Sequence, residues 1–316
     1  MSRRAWLIFA AVSVLWGIPY LFIKIAVGEL APPVVVVGRT AIAAAVLLPV
    51  AIATGALRPL RDRLGLVALL AMVHIAAPFL LITYGEVHIT SSLTALLLAS
   101  QPMMIAALAP RFAADERVAG GRLAGLALGL AGVAAVVGFD VSGDGLGLLG
   151  AAMVLLATLG YASASLLVRR RLADAPPLGL VAGTMTVTTV VLAPWALAAA
   201  PHTMPSARAT WSVVVLGLLC TAVALLLFYR LISLVGAGRA AVVSYLNPAV
   251  AVALGVVVLG EPLTATALLG AALILAGSWL STRRPTAPVR EPEPALELEP
   301  AASSADGGSP RPAGAG

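Results

Sequence analysis

The chain has 316 residues, of which 60% are hydrophobic and 11% are charged, and its mean hydropathy is +1.02. A soluble domain is usually about 45–50% apolar and about 25% charged, so a single soluble domain is excluded. The net charge of +6 does not indicate a nucleic-acid partner, because the basic residues stand in short groups between long apolar runs, as in the loops of a membrane protein. The single cysteine, Cys220, excludes an intramolecular disulfide and a thiolate metal cluster.

Ten apolar segments follow one another along the chain. A helix needs about 20 mostly apolar residues to cross a hydrocarbon core of about 30 Å, and each segment is close to this length. None of them alternates as the strand of a membrane barrel would. The sequence therefore predicts an all-α membrane protein with ten transmembrane helices. They lie at approximately 5–27, 33–54, 64–84, 89–110, 119–139, 145–168, 177–200, 210–232, 238–259 and 263–281.

The distribution of arginine predicts the orientation of these helices. With an even number of spans both termini lie on one side, and that side carries nearly all the arginines, including Arg3, Arg58 and 169–171. The loops on the other side contain only Arg208. Because an excess of Lys and Arg marks the cytoplasm, both termini are predicted to be cytoplasmic. Residues 283–316 are rich in proline and glutamate and are predicted to form a disordered cytoplasmic tail.

The two halves of the chain resemble each other at a fixed offset of 145 residues. The matched pairs are Tyr84 and Tyr229, Glu116 and Glu261, Gly125 and Gly270, and Gly132 and Gly277. An offset of five spans places the halves, residues 1–140 and 145–282, in opposite orientations. Inverted repeats of this kind are typical of transporters that alternate access between the two faces of a membrane.

Several short motifs stand out in the two halves. They are Leu15-Trp16-Gly17, Gln101-Pro102, Tyr229-Arg230, Ser244-Tyr245-Leu246-Asn247-Pro248 and Leu259-Gly260-Glu261-Pro262-Leu263. Their order and spacing resemble the EamA family of the drug/metabolite transporter superfamily. The similarity covers residues from about 5 to 282, and the sixth span has Tyr161 where the family often has a tryptophan. The resemblance implies a bacterial permease of the cytoplasmic membrane that moves a small metabolite, commonly by efflux of amino acids or similar solutes.

Two prolines inside predicted spans, Pro102 and Pro248, indicate helix kinks. A proline removes one helical hydrogen bond, and the freed carbonyl group is tolerated where neighbours or a polar cavity satisfy it. Gln101 and Asn247 precede these prolines, and we expect them to bind the solute near the repeat axis. A packing kink whose freed carbonyls the amides cap is the alternative. The other candidate binding residues close to the two prolines are Ser100, Ser244 and Tyr245.

Further candidates for solute binding lie in the first, second, third and sixth spans. His74 stands in the middle of the third span and could serve a proton or solute path, or pair across a helix interface. Arg39 could hold a carboxylate at the external mouth, whereas Lys24 is expected to extend to the headgroups. The aromatic candidates for stacking on a solute are Trp16, Tyr20 and Tyr161.

The remaining features narrow the range of functions. No Asp or Glu is predicted in the interior of a span: Glu86 is assigned to an edge, and Glu116 and Glu261 to loops as caps of the helices that follow them. The glycines that recur from Gly121 to Gly132 predict close helix packing, within the bundle or in a homodimer. No catalytic residue, metal site or cofactor is predicted, so the chain is interpreted as a permease for a small-molecule solute. An intramembrane lipid- or acyl-modifying enzyme and a non-transporting scaffold are the alternatives.

Overall fold

The computed structural model describes residues 1–112, 121–140, 145–240 and 242–282, and these residues form helices joined by short turns. Within them, nine helical segments are long and apolar enough to cross a membrane, and the shorter apolar helix Val243–Leu259 supplies a tenth. The predicted all-α fold with ten spans is confirmed. The predicted tail, residues 283–316, and Glu116 lie outside the described residues.

The first half of the chain contributes five spans. The first consists of α1 (Arg3–Gly17) and α2 (Pro19–Ala26), and the second of α3 (Pro32–Ala53). A 3₁₀ turn (Arg58–Arg63) leads into the third, which contains α4 (Leu64–Leu70), a π-helical turn (Ala71–Ala76) and α5 (Ala77–His88). The fourth and fifth are formed by α6 (Ser91–Leu98), α7 (Gln101–Phe112) and α8 (Gly121–Asp140).

The second half contributes the other five spans in the same order. The sixth and seventh are α9 (Gly145–Arg171) and α10 (Pro177–Ala198). The eighth contains α11 (Ala207–Gly217), a π-helical turn (Leu218–Val223) and α12 (Ala224–Val235). The ninth and tenth are formed by α13 (Ala237–Ala240), α14 (Val243–Leu259) and α15 (Ala265–Thr282).

The two prolines that indicated kinks have different surroundings. The fourth span is interrupted at Ala99–Ser100, and Pro102 lies in the first turn of the helix that resumes at Gln101. A proline in the first turn loses no helical hydrogen bond, because its missing N–H would have had no partner there. Pro248, in contrast, lies inside the continuous helix α14.

The fifth and tenth spans pack closely through glycine. A Cβ atom on Gly125 would meet the backbone of Gly277, and one on Gly132 would meet the backbone of Gly270. At the offset of 145 residues Gly125 corresponds to Gly270 and Gly132 to Gly277, so each glycine contacts the counterpart of the other. Reciprocal contact of this kind is the property of a twofold interface.

Helix neighbours repeat in the same way between the two halves. The first span packs on the ninth as the fourth packs on the sixth, and the third packs on the sixth as the eighth packs on the first. The second and seventh spans, which correspond to each other, also pack together. This arrangement leaves a space between the halves, and the first, fourth, sixth and ninth spans all contribute residues to its lining.

Candidate functional site

A cavity lined by apolar, aromatic and polar side chains occupies the space between the two halves. Its larger part has a volume of about 740 Å³ and its inner part about 260 Å³. The two parts have five lining residues in common, Trp16, Tyr20, Gln101, Tyr161 and Asn247. Among the residues predicted from sequence, the larger part is also lined by Pro102, Ser244, Tyr245 and Pro248, and the inner part by Arg39 and His74.

Ser100 is the predicted site residue that does not line this cavity. It is buried at the break in the fourth span, where its hydroxyl donates to the carbonyl oxygen of Leu97 at 2.6 Å. The hydroxyl is therefore satisfied by the end of the helix that precedes it. Its role in the described structure is to complete the turn that brings Gln101 to the cavity wall.

Asn247 joins the two halves at the wall of the cavity. With its side-chain amide turned to satisfy its neighbours, the nitrogen donates to the carbonyl oxygens of Val243 at 2.9 Å and Ser13 at 3.2 Å. Because Pro248 has no backbone N–H, the carbonyl oxygen of Ser244, four residues earlier, lacks its helical hydrogen-bond donor. The Asn247 amide binds the two other carbonyl oxygens, so it does not cap this one. In this orientation the Asn247 side-chain oxygen is left as an acceptor.

Aromatic side chains form much of the remaining wall. The rings of Trp16 and Phe228 have centroids 4.6 Å apart, and His74 meets Tyr161 edge to face at 5.6 Å. His74 lies in the π-helical turn of the third span, a backbone form that is frequent at functional sites. Flat aromatic surfaces beside amide groups suit a small organic solute that has both apolar and polar parts.

Arg39 is deeper in the bundle than a residue of the external mouth would be. Its Nε donates to the Thr221 hydroxyl at 2.9 Å, in the π-helical turn of the eighth span, and its guanidinium carbon lies 4.0 Å from the centre of the Phe79 ring. Among the described residues no carboxylate forms an ion pair with it. The guanidinium is therefore a cationic group in the inner cavity with donors left for an anionic ligand.

The cavity is open at one end of the bundle and closed at the other. Ser244 and Thr282, at the end where the first span begins and the tenth ends, are exposed. Toward the opposite end, the inner cavity stops at an apolar cluster that includes Ile23, Ile82 and Val35. We call this cluster the apolar plug, and the end beyond it the closed end.

Two carboxylates accept hydrogen bonds across the boundary between the halves at the closed end. Glu261 accepts from the Ser91 N–H at 2.8 Å, the Ser92 N–H at 3.0 Å and the Ser92 hydroxyl at 2.5 Å. Glu29 accepts from the Ser206 N–H at 2.7 Å and the Ser206 hydroxyl at 2.5 Å, and these hydrogen bonds hold the pKa of Glu29 below its usual value. Each carboxylate thus caps a helix of the other half, where the helix dipole favours negative charge. The expectation that Glu261 caps its own following helix is wrong.

Lys24 and Glu86 also differ from their sequence interpretation. The Lys24 ammonium donates to the carbonyl oxygens of Glu86 at 2.6 Å and Ile89 at 2.8 Å, so it caps the end of α5 instead of extending to the headgroups. Glu86 lies in the last turn of α5, at the edge of the span to which the sequence assigns it, but its exposed fraction is 0%, so it is buried in the bundle and does not face a polar boundary. At the offset of 145 residues Glu86 corresponds to Leu231, a buried apolar position. Comparison of the two halves was therefore the signal in the sequence that Glu86 is buried.

A helical bundle of ten spans with a central cavity between two similar halves is the architecture of a membrane transporter. The chain belongs to the EamA-like transporter family, whose family model matches residues 4–138 and 148–283. The resemblance seen in the motifs is thereby confirmed, and with it a multi-pass protein of the membrane that serves a small-molecule solute.

Two relatives and one solved structure illustrate this membership. An "Uncharacterized transporter" of Archaeoglobus fulgidus is 25% identical over 281 residues, which are 89% of this chain and 99% of the relative. A "Probable terminal-alkyne amino-acid exporter" of Streptantibioticus cattleyicolor is 28% identical over 289 residues, which are 90% and 95% of the two chains. A crystal structure described only as that of a protein aligns with a TM-score of 0.62 at 22% identity, over 89% of this chain and 97% of the other. This last likeness concerns the fold alone.

Proposed function

We propose that the protein exports a small amino-acid-like solute across the bacterial cytoplasmic membrane by alternating access. The halves, residues 1–140 and 145–282, act as inverted repeats that move against each other around the central cavity. The reciprocal glycine contacts and the repeated helix neighbours support this arrangement. The amino-acid exporter among the relatives supports the solute class and the direction.

The observation that carries the proposal is the Arg39 guanidinium in the inner cavity. It is held by Thr221 and Phe79, and no carboxylate of the described residues neutralises it. Arginine binds carboxylates through two parallel hydrogen bonds, so the α-carboxylate of an amino acid suits it. Gln101 and Asn247 supply neutral donors and acceptors for the rest of the solute, and the aromatic wall suits its side chain.

The open and closed ends of the cavity support alternating access, because a carrier of this kind is open to one side of the membrane and closed to the other in each of its two states. The cavity is open at the end that bears the termini, which the arginine distribution assigns to the cytoplasm. The apolar plug and the two cross-half carboxylates close the other end. In this state a cytoplasmic solute reaches Arg39, and export follows when the closed end opens and the open end closes.

We propose transport without catalysis, and the polar groups of the cavity support this. Within the described ranges no group of three or more His, Cys, Asp or Glu side chains is placed to hold a metal ion. His74 contacts the Tyr161 ring, and among the described residues that line the cavity none carries a carboxylate to orient it as a general base.

The test is efflux of radiolabelled amino acids from proteoliposomes that contain the purified protein. We expect one or more amino acids to leave faster than from protein-free liposomes. Arg39→Gln should reduce this flux by about 10- to 100-fold, because a charge-assisted bidentate pair is replaced by weaker neutral hydrogen bonds. The matched control is Arg208→Gln, which removes an exposed arginine outside the cavity and should leave the flux unchanged.

Two results would contradict the proposal. Flux of every amino acid at the rate of protein-free liposomes would exclude this solute class. Equal flux in the Arg39→Gln and wild-type proteins would show that the guanidinium does not bind the solute, and an uncharged solute would then be tested in the same liposomes.

A further inference from the structure

Glu86 is a carboxylic acid buried without a partner near the closed end. Its exposed fraction is 0%, and neither carboxylate oxygen has a hydrogen-bond partner among the described residues. The nearby Lys24 ammonium is engaged by the backbone oxygens of Glu86 and Ile89 and forms no ion pair with the carboxylate. The side chain is thus not explained as part of a salt bridge or a helix cap.

Unsatisfied polar atoms are concentrated in this one short segment. In the part of the chain that the structure describes, the buried side-chain atoms without a hydrogen-bond partner are the two oxygens of Glu86 and the hydroxyl oxygen of Ser91. Buried polar groups are paired in most proteins, and a group that is not paired requires an explanation. A carboxyl group retained in this condition beside the transport cavity points to a function that needs it to change its charge.

Glu86 lies in the chain between residues that line two different cavities. Ile82, one helical turn earlier, lines the inner part of the central cavity. His88 and Ile89, directly after Glu86, line a separate cavity of about 320 Å³ at the closed end, together with Lys24. A movement that opens the closed end would therefore bring water to Glu86 from the side of this second cavity.

The charged groups around Glu86 are predominantly basic. The sixth span, which packs on α5, has Tyr161 as the titratable residue of its apolar part, and α6 adds only hydroxyl groups. The groups close enough to interact with Glu86 electrostatically are Lys24 and Tyr20 of α2, Arg39 of α3 and Glu261 of the loop after α14.

We propose that Glu86 is the proton-binding site of the transport cycle, an inference that rests on the function proposed above. In the observed state the carboxyl group holds its proton, because an ionised carboxylate without a partner is far more costly to bury than the acid. When the closed end opens, water takes the proton from the carboxyl oxygen as hydronium, and the carboxylate remains beside the Lys24 ammonium. The carboxylate takes up a new proton from the cytoplasmic side when the closed end shuts again, so each cycle carries one proton outward together with the solute. Export down the solute gradient thus moves a proton out of the cell.

The first test is infrared spectroscopy of the purified wild-type protein. At neutral pH, where exposed carboxyl groups are ionised, we expect the C=O stretching band of a protonated carboxylic acid. The band should disappear in Glu86→Gln. Absence of the band from the wild-type protein, or its persistence in Glu86→Gln, would overturn the proposal without any knowledge of the solute.

The second test measures opening of the closed end directly. Cys220→Ala removes the native cysteine and Val35→Cys, at a position with an exposed fraction of 1%, places a reporter in the apolar plug. The rate of labelling by a membrane-impermeant maleimide is divided by the rate for Met204→Cys, at a position with an exposed fraction of 95%. This division removes the pH dependence of the thiol reaction itself. In the pH range between the pKa values of Glu86 in the two states, the labelling ratio should rise by about tenfold per pH unit, because opening releases one proton.

Variants of Glu86 complete the experiment. Glu86→Gln keeps the shape of the protonated side chain, and its labelling ratio should stay low and independent of pH, whereas Glu86→Asp should keep the pH dependence. Glu86→Leu, which introduces the residue found at the corresponding position Leu231, is a second neutral variant in case the glutamine protein does not fold. Identical pH profiles in wild-type and neutral variants would refute the proton site.

Failure of this inference is distinct from failure of the exporter proposal. Amino-acid efflux that is unchanged in Glu86→Gln, with and without a pH gradient, would remove the proton site and leave the exporter intact. An infrared band and pH-dependent labelling in a protein that moves no amino acid would support the proton site and exclude the solute class.

Discussion

Glu261→Gln tests whether the contact between the halves holds the closed end shut. The carboxylate, with an exposed fraction of 9%, accepts three hydrogen bonds from Ser91 and Ser92. Glutamine has the same shape but offers one acceptor oxygen and no charge, and its NH₂ group would face one of the two backbone N–H groups. We expect opening of the closed end to break these hydrogen bonds in the wild-type protein, so their loss should favour the open state.

The size of the effect follows from these contacts. A hydrogen bond to a charged group contributes about 1.5–3 kcal/mol, a neutral one about 0.5–1.5 kcal/mol, and an unsatisfied buried donor costs about 1–3 kcal/mol. We expect the substitution to destabilise the closed state by about 2–4 kcal/mol. Because 1.4 kcal/mol corresponds to a factor of ten, the ratio of open to closed protein should rise by roughly 30- to 700-fold.

The assay is maleimide labelling of Val35→Cys in the Cys220→Ala background. The matched control is Glu29→Gln, which removes the same kind of cross-half cap from an exposed site, where solvent can replace it, and should change the labelling rate far less. Equal labelling rates in the Glu261→Gln and wild-type backgrounds would refute the reasoning. An equal effect of Glu29→Gln would show that burial of the cap does not decide its strength.

Three further predictions concern stability, measured as thermal unfolding in detergent. Gly125→Ala should lower the free energy of unfolding by about 1–3 kcal/mol, because its Cβ would meet the backbone of the tenth span. Gly138→Ala on the same helix, with no atom within 4 Å of the added Cβ, should raise it by up to about 1 kcal/mol, and equal shifts would contradict the packing argument. Because Ser206 lowers the pKa of Glu29, that contact is complete above about pH 4.3 and is lost as the pH falls through the lowered pKa. The stability difference between wild type and Glu29→Gln should therefore vanish in acid, and a difference that persists would contradict the assignment. Lys24→Met keeps the apolar stem but removes two hydrogen bonds, and should cost about 1–3 kcal/mol, whereas a lysine that reached the headgroups would cost nothing.

Much of the cavity wall could be predicted from sequence because its residues are polar or aromatic inside apolar spans. Gln101, Asn247, Tyr20 and Tyr161 are conspicuous for this reason, and each lines the cavity. A polar group inside a span must face the bundle interior, so its chemistry alone indicates its direction. Their role in solute binding stays a prediction that the efflux experiment tests.

The ten spans and the membership of the family could be read from the sequence alone. Whether a segment crosses a bilayer depends on the apolar surface of about 20 successive residues, a local property that hydropathy measures. Glu86, near the end of its helix and two residues from His88, looked like the polar edge of a span by this measure. Only the tertiary structure showed that neighbouring helices bury it.

The contacts of Arg39, Lys24 and Glu261 were likewise decided by the tertiary structure. Arg39 meets a residue 182 positions away, Lys24 meets residues 62 and 65 positions away, and Glu261 meets residues 169 and 170 positions away. A long cationic side chain can extend to the headgroups or turn inward, and a carboxylate in a loop can cap any helix end within reach. Which of these occurs depends on which helix ends the packing of the two halves brings together, and no local pattern in the chain encodes that.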